Sequence, residues 1–326
     1  MYADLRGIDS HGVAHLKRYV RALRGGAYEI EREITVVHQT PSTALVDGGG
    51  GLGYPAAVRS MDLAIEKADA VGSAWVATRN SHHFGAAGFY ASMALAHDMI
   101  GICITNAGPA VLPTFGIQAQ LGTNPISIAI PAEHEPPYVL DMATSVKATG
   151  KIEMLIRDGG QGPPEWFQQA DGSMGGDPQQ FLSMLHQKRM GGQLPIGGSG
   201  EVASGYKGFG LGLAVEMLGP ILAGDIASPF ISRAENYEST IAHLFGALRI
   251  DAFRPAADFK ADMDSLLIQI KRSPKAPGHD RIWIAGEKEH ETCRERRELG
   301  VPLHDAIVND LRVIARELDV APLEVK

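Results

Sequence analysis

Cysteine is almost absent: Cys103 and Cys293 are the only two in 326 residues, and their spacing fits no metal site. So few thiols point to a reducing, cytoplasmic compartment and give them no special role. Aromatic residues are scarce as well, at 6%. No apolar run reaches the roughly 20 residues that a membrane-spanning helix requires. The most apolar stretch, Gly208 to Gly224, contains Glu216 and Pro220, and it is expected to be a core helix. An excess of basic residues is also missing. A formal charge of -8 excludes nucleic acid and acidic membranes as natural partners, because both need clustered Lys and Arg, and leaves a small molecule as the expected ligand. No signal peptide, internal repeat or low-complexity tract is visible.

What is present is a chain with 44% hydrophobic residues, enough for one large or two ordinary globular domains, and 38 glycines, many beside expected strands. The sequence centres on Thr78-Arg79-Asn80-Ser81-His82-His83-Phe84-Gly85. A β-branched run from Ala74 to Thr78 precedes it and a helix-forming stretch follows. It reads as a strand-to-helix turn carrying two histidines, and ligands of α/β proteins gather outside the carboxyl ends of strands.

Near the start, Asp9 or Ser10 is placed to cap a helix that runs to Gly25-Gly26. Val13, Leu16, Val20 and Leu23 share one face of it, expected to meet the core, and His11, His15 and Arg18 share the other. His11-x-x-x-His15 has the spacing of a helical zinc pair but lacks the glutamate of that motif; a solvated polar face is the plain alternative. Thr43 to Asp47 reads as a strand and about Pro55 to Val71 as a helix, with Gly48 to Gly53 forming a literal G-x-G-x-x-G between them. The dinucleotide fingerprint wants an acidic residue at the end of the next strand, where this chain has Thr78-Arg79, so a structural glycine turn is the stronger reading.

Strands are expected at Ile100 to Thr105, Ile126 to Ile130 and Tyr138 to Leu140, each ending in or following a loop of small polar residues. Loops collected at strand ends make a ligand site. Arg157 to Gly200, rich in Gly, Pro and Gln, reads as surface loop with one short helix. Lys207 falls near a helix N-terminus, a place that attracts anions. A strand at Ala242 to Ile250, a helix at Pro255 to Lys271, a strand at Arg281 to Ala285 and a helix at Leu303 to Leu318 complete the expected elements.

Five separated motifs, Ser10-His11-Gly12, Asn80 to Gly85, Leu121-Gly122-Thr123-Asn124-Pro125, Asp141-Met142-Ala143-Thr144-Ser145 and Gly205-Tyr206-Lys207-Gly208, resemble in collinear order those of the malate/L-lactate dehydrogenase family. That family also includes ureidoglycolate, sulfolactate and diketogulonate oxidoreductases and imino-acid reductases. The resemblance implies an α/β, non-Rossmann mixed-sheet fold of the L-sulfolactate dehydrogenase type with a smaller helical, dimerisation region. It implies residues 1–75 and 280–326 as a substrate and dimerisation domain, 76–279 as a nicotinamide-cofactor domain, and a homodimer. The activity implied is hydride transfer between NAD or NADP and a small 2-hydroxy or 2-oxo acid, without metal; a cyclic-imine reductase and a catalytically impaired relative are the alternatives. A metal hydrolase using His11, His15, His82 and His83 is a rival from another class.

Carried over residue by residue, the resemblance makes His83 the catalytic acid/base and His11 a second candidate proton donor. Ser10, His15, Arg18, Tyr19 and Asn124 are expected on the substrate side, and Asp141, Met142, Ala143, Lys207, Gly286 and Glu287 on the cofactor side. Two departures stand out. The family usually has Arg where this chain has His15, replacing a bidentate carboxylate grip with a single imidazole bond. A further helical segment is also expected ahead of Tyr2.

Overall fold

The computed structural model describes residues 1–31, 33–188, 190–231, 233–234, 237–238 and 240–324. Its centre is a seven-stranded sheet: β1 (Thr35–Gln39), β2 (Thr43–Asp47), β3 (Ser73–Ser81), β4 (Met99–Thr105), β5 (Ile126–Ile130), β6 (Tyr138–Met142) and β7 (Ile241–Arg249). The spatial order is β1-β2-β3-β7-β4-β5-β6. Only β2 and β3 pair in parallel, joined by helix α3 (Gly53–Val71) as parallel neighbours require. Every other pair is antiparallel, so the sheet is mixed.

Strand alternation assigns the two faces. Val76, Cys103 and Phe245 look toward α3 and α4 (Ala87–Met93), within a core that includes Val46, Met61 and Tyr90. Ala77, Ile104 and Leu244 look the other way, toward Val215 of α7 (Gly205–Glu216) and Ala223. A third core joins Ile152 of α5 (Thr149–Arg157) and Phe181 and Leu185 of α6 (Pro178–Lys188) to Val111, Leu121 and Phe167. The stretch expected as surface loop from Arg157 to Gly200 is therefore a packed unit: Phe167 and Phe181 stack at 4.2 Å with neither ring exposed. Its few aromatics all turn to one side, which a Gly- and Pro-rich composition conceals.

The first and last segments pack together. Helix α1 (Tyr2–Leu5) and the turn after it meet α9 (Glu287–Leu299), where Arg296 grips Asp9 at 2.5 Å. Helix α2 (Leu16–Arg24) meets α10 (Asp305–Glu317) through Lys17–Asp310 and Arg24–Glu317. Helix α8 (Ala256–Arg272) lies between the sheet and these segments in sequence and buries Leu267, while Leu266 and Ile270 stay exposed. The domain boundary expected at residue 75 falls inside β3, whose pairing with β2 carries one sheet across it.

Four local expectations are corrected. The helix expected from Ser10 to Gly25 is two 3-10 turns, Asp9–His11 and Val13–His15, followed by α2. Its polar side faces inward: Tyr19 is the buried residue and Leu16 is exposed. Arg281 to Ala285 is extended chain rather than a strand, joined to β6 by the hydrogen bond from Val139 N–H to the Ala285 carbonyl. The apolar stretch after Gly208 is half outward, with Met217, Ile221 and Leu222 more than half exposed around a π-turn at Met217–Ile221. Truncating Phe181 to Ala is expected to cost about 3–5 kcal/mol in a denaturant titration, as for other buried aromatics; a change under about 0.5 kcal/mol, the range of surface substitutions, would restore the loop reading.

Candidate active site

β3 runs to Ser81, and a bulge just before its end turns the chain. Asn80 is left-handed (φ 51°), with its N–H on Asp225 Oδ2 at 2.7 Å and its amide on Asp47 Oδ1 at 2.9 Å. The next four side chains go to different places. Ser81 holds the buried His243 of β7, whose ring spans Ser81 Oγ (2.9 Å) and Thr105 Oγ1 (2.7 Å). His82 is buried and stacks on Tyr28 at 4.0 Å. Phe84 is sandwiched between Tyr90 (4.7 Å) and His243 (4.4 Å). His83 alone is delivered to the opposite side, among His11, His15 and Tyr19.

The glycine loop supports this turn. Gly48 and Gly50 donate N–H bonds to the carbonyls of Arg79 and Asn80, and a Cβ on Gly53 would stand 2.0 Å from the His82 carbonyl oxygen. Arg79 is paired with Asp47 at 3.2 Å. The G-x-G-x-x-G is thus a packing device. Gly12 of Ser10-His11-Gly12 has a similar cause: a Cβ there would lie 1.8 Å from Asp4 Oδ1, which accepts the Val13 N–H.

Around His83 the rings of His15, His11 and Tyr19 have centroids at 5.0, 5.7 and 5.9 Å. Tyr19 Oη lies 2.5 Å from His83 Nδ1, and the Gly85 N–H points at the same nitrogen from 3.3 Å. A backbone N–H can only donate, so the bonding pattern assigns Nδ1 as acceptor and Nε2 as the protonated nitrogen. Burial, then the neighbouring His15 and His11, hold the His83 imidazole well below its ordinary pKa. Ser10 Oγ is 2.9 Å from His11 Nδ1, so Ser10 is engaged with the imidazole. Burial and then the Lys151 charge lower His11. Arg18, exposed on α2, adds positive charge near His83. The four-histidine metal reading does not survive this geometry, because His82 points away; among the described residues no group of three candidate ligands could hold a metal ion.

His11 and Gly85 open onto a cleft of about 690 Å³. Asp141, Ala143 and Gly286 line it, together with Arg6, Lys151 and Trp283, which the sequence motifs did not single out. Asp141 is open to the cleft and enclosed by protein elsewhere. Burial raises its carboxyl pKa to about 6, against the pull of the Gly88 N–H at 2.7 Å. A Cβ at Gly88 would come within 2.9 Å of that carboxylate.

Other expected site residues lie elsewhere. Met142 alternates to the far face of β6. Lys207 stands exposed at the start of α7, outside the cleft lining. Glu287 is buried against Lys271, Arg281 and the Ile284 N–H. Asn124 is fully buried, its amide given to Glu216 and the Gly212 carbonyl, so it braces α7.

Residues 1–312 match the profile of malate/L-lactate dehydrogenase. The malate dehydrogenase of Pyrococcus abyssi is 42% identical over 323 residues, 99% of this chain and 87% of that protein. The L-sulfolactate dehydrogenase of Methanocaldococcus jannaschii is 38% identical over 317 residues, 97% and 87% of the two. The crystal structure of malate dehydrogenase from Entamoeba histolytica matches with a TM-score of 0.96 at 34% identity, covering 99% of this chain and 90% of that one. The chain belongs to the malate/L-lactate dehydrogenase family.

Its mixed sheet is the non-Rossmann fold expected from the motifs, and the chain is a hydroxy-acid oxidoreductase. Membership implies a nicotinamide cofactor, and the cleft is within the usual size for such ligands. Its walls at Gly85-Ala86-Ala87 and Gly286 are low, and a Cβ at Gly286 would press on Val139 at 3.0 Å. A carboxyl-carbon titration should give Asp141 a midpoint near 6; a midpoint near the ordinary value of about 3.9 would mean that the cleft floor is fully solvated.

Proposed function

We propose that the protein interconverts a 2-hydroxy acid and its 2-oxo acid with NAD or NADP, His83 exchanging the proton of the reacting oxygen. The observation that carries this reading is the engagement of His83: Tyr19 and Gly85 occupy Nδ1 and leave Nε2 for a substrate oxygen. When bound, the nicotinamide supplies or accepts the hydride. Asp141, Ala143 and Gly286 are the residues to hold it, with Arg6, Lys151 and Lys288 among the cleft's cations. His11, its Nδ1 held by Ser10, hydrogen-bonds the same oxygen or orients His83. The carboxylate falls to His15 and Arg18, and the relatives' substrates, malate and sulfolactate, favour an acid with a second anionic group.

A second reading exchanges the two imidazoles. His11 lines the cleft and His83 stands behind it at 5.7 Å, which favours His11 as the group that meets the oxygen. A homodimer is supported by the outward apolar surface of Leu211, Met217, Leu218, Ile221, Leu222 and Phe230.

A spectrophotometric screen of 2-oxo acids and cyclic imines with both reduced cofactors tests the activity. His83→Ala is expected to lower kcat by about 10²–10⁴, the usual worth of an acid/base group, with cofactor binding near normal; full activity in that variant, with loss in His11→Ala, would establish the second reading. His15→Arg is expected to lower the KM of the acid about tenfold or more above neutral pH, as a charge-assisted bond replaces an imidazole. An unchanged KM would place the carboxylate elsewhere.

A further inference from the structure

Tyr54, in the first turn of α3, has no part in the roles above, yet its hydroxyl reaches the centre of the site. It lies 3.1 Å from Tyr19 Oη, and Tyr19 Oη lies 2.5 Å from His83 Nδ1. The two phenol rings meet edge to face, centroids 5.7 Å apart at 90°. The seat of the hydroxyl depends on Gly85: a Cβ there would fall 2.9 Å from Tyr54 Oη, and its φ of 81° favours glycine independently.

The direction of these bonds follows from the donor inventory. With the Gly85 N–H aimed at Nδ1, that nitrogen accepts, so the order is Tyr54 to Tyr19 to His83, each hydroxyl donating onward. When His83 gains a proton, Nδ1 becomes a donor and needs an acceptor. A carboxylate would serve, but among the described residues none is a leading influence on His83, and the Asp4 carboxylate acts on Tyr54 instead. His83 is surrounded by His11 and His15 from the two 3-10 turns, Arg18 and Tyr19 from α2, and His243 from β7. A hydroxyl can both donate and accept. Turning both O–H bonds gives the reverse order, Nδ1–H to Tyr19 Oη and Tyr19 O–H to Tyr54 Oη, with no hydroxyl wasted. Burial keeps the Tyr19 phenol protonated throughout, so the pair carries no charge of its own.

We propose that Tyr54 is a positioning residue: its hydroxyl reverses direction together with that of Tyr19 and so accommodates both protonation states of His83. This rests on the reading of His83 as the acid/base. Without Tyr54 the reversed order leaves the Tyr19 O–H with no acceptor, which penalises the protonated histidine in particular.

Tyr54→Phe keeps the ring and removes only the hydroxyl. For one lost hydrogen bond, kcat for oxo-acid reduction should fall about threefold to tenfold with KM near wild type, and the pH profile should move about half to one unit lower. Tyr19→Phe should move both further. Histidine-selective nitrogen NMR follows the His83 tautomer and midpoint in wild type and Tyr54→Phe without substrate or cofactor, and a circular dichroism melt confirms that the variant is folded. A folded Tyr54→Phe with wild-type kcat, an unmoved profile and an unmoved His83 midpoint overturns the proposal. Wild-type protein that reduces no acid would sink the functional reading instead, and the NMR titration would still decide the role of Tyr54.

Discussion

The site depends on how Phe84 is held. Its ring lies between Tyr90 and His243, nearly parallel to both, and its carbonyl accepts the Tyr90 hydroxyl at 2.6 Å. Successive side chains of an extended segment diverge, so fixing Phe84 in the core sends His83 to the other side. His243 anchors the arrangement from below by bridging the ends of β3 and β4, and burial depresses its own pKa to about 3 so that it stays neutral there. The sheet order places β7 between β3 and β4 and makes this bridge possible. Topology, packing and the position of one imidazole are thus a single chain of cause.

The electrostatics follow from the same enclosure. Many catalytic histidines lean on a carboxylate that favours the charged form. His83 instead has three more imidazoles, an arginine and two phenols around it, and burial is the largest influence on it. It rests neutral. In the tautomer that the Gly85 N–H selects, Nε2 already carries the proton, so taking one from an alcohol there requires the Nδ1–H tautomer, and oxo-acid reduction requires the minority protonated form. Asp141, in the cleft that His11 lines, is pushed the opposite way by the same cause, since burial disfavours whichever form is charged.

Much of this was legible in the sequence. The strand-to-helix turn, the structural role of the glycine loop and the mixed sheet could be anticipated from Asn80 to Gly85, from Gly48 to Gly53 and from the collinear motifs. Other features were hidden for physical reasons. Tyr54 meets Tyr19 across 35 residues, a tertiary contact that no local pattern records. The inward side of α2 is its polar one, because Tyr19 and the histidines face the site, so an amphipathic rule assigns the wrong face. Phe167 and Phe181 lie in stretches dominated by Gly, Pro and Gln, where the composition reads as loop. Asn124 and Lys207 belong to the motifs that identify the family, but the first braces α7 and the second stands exposed outside the cleft lining.

The most direct test of the account is the pH dependence of kcat/KM for 2-oxo-acid reduction by the wild-type protein. A histidine whose pKa is lowered is protonated only below that value, so the logarithm should fall with unit slope as pH rises through neutrality, its plateau lying well below pH 6.5. A plateau extending to pH 7 or above would mean a stabilised imidazolium and would contradict the neutral His83 on which the account stands.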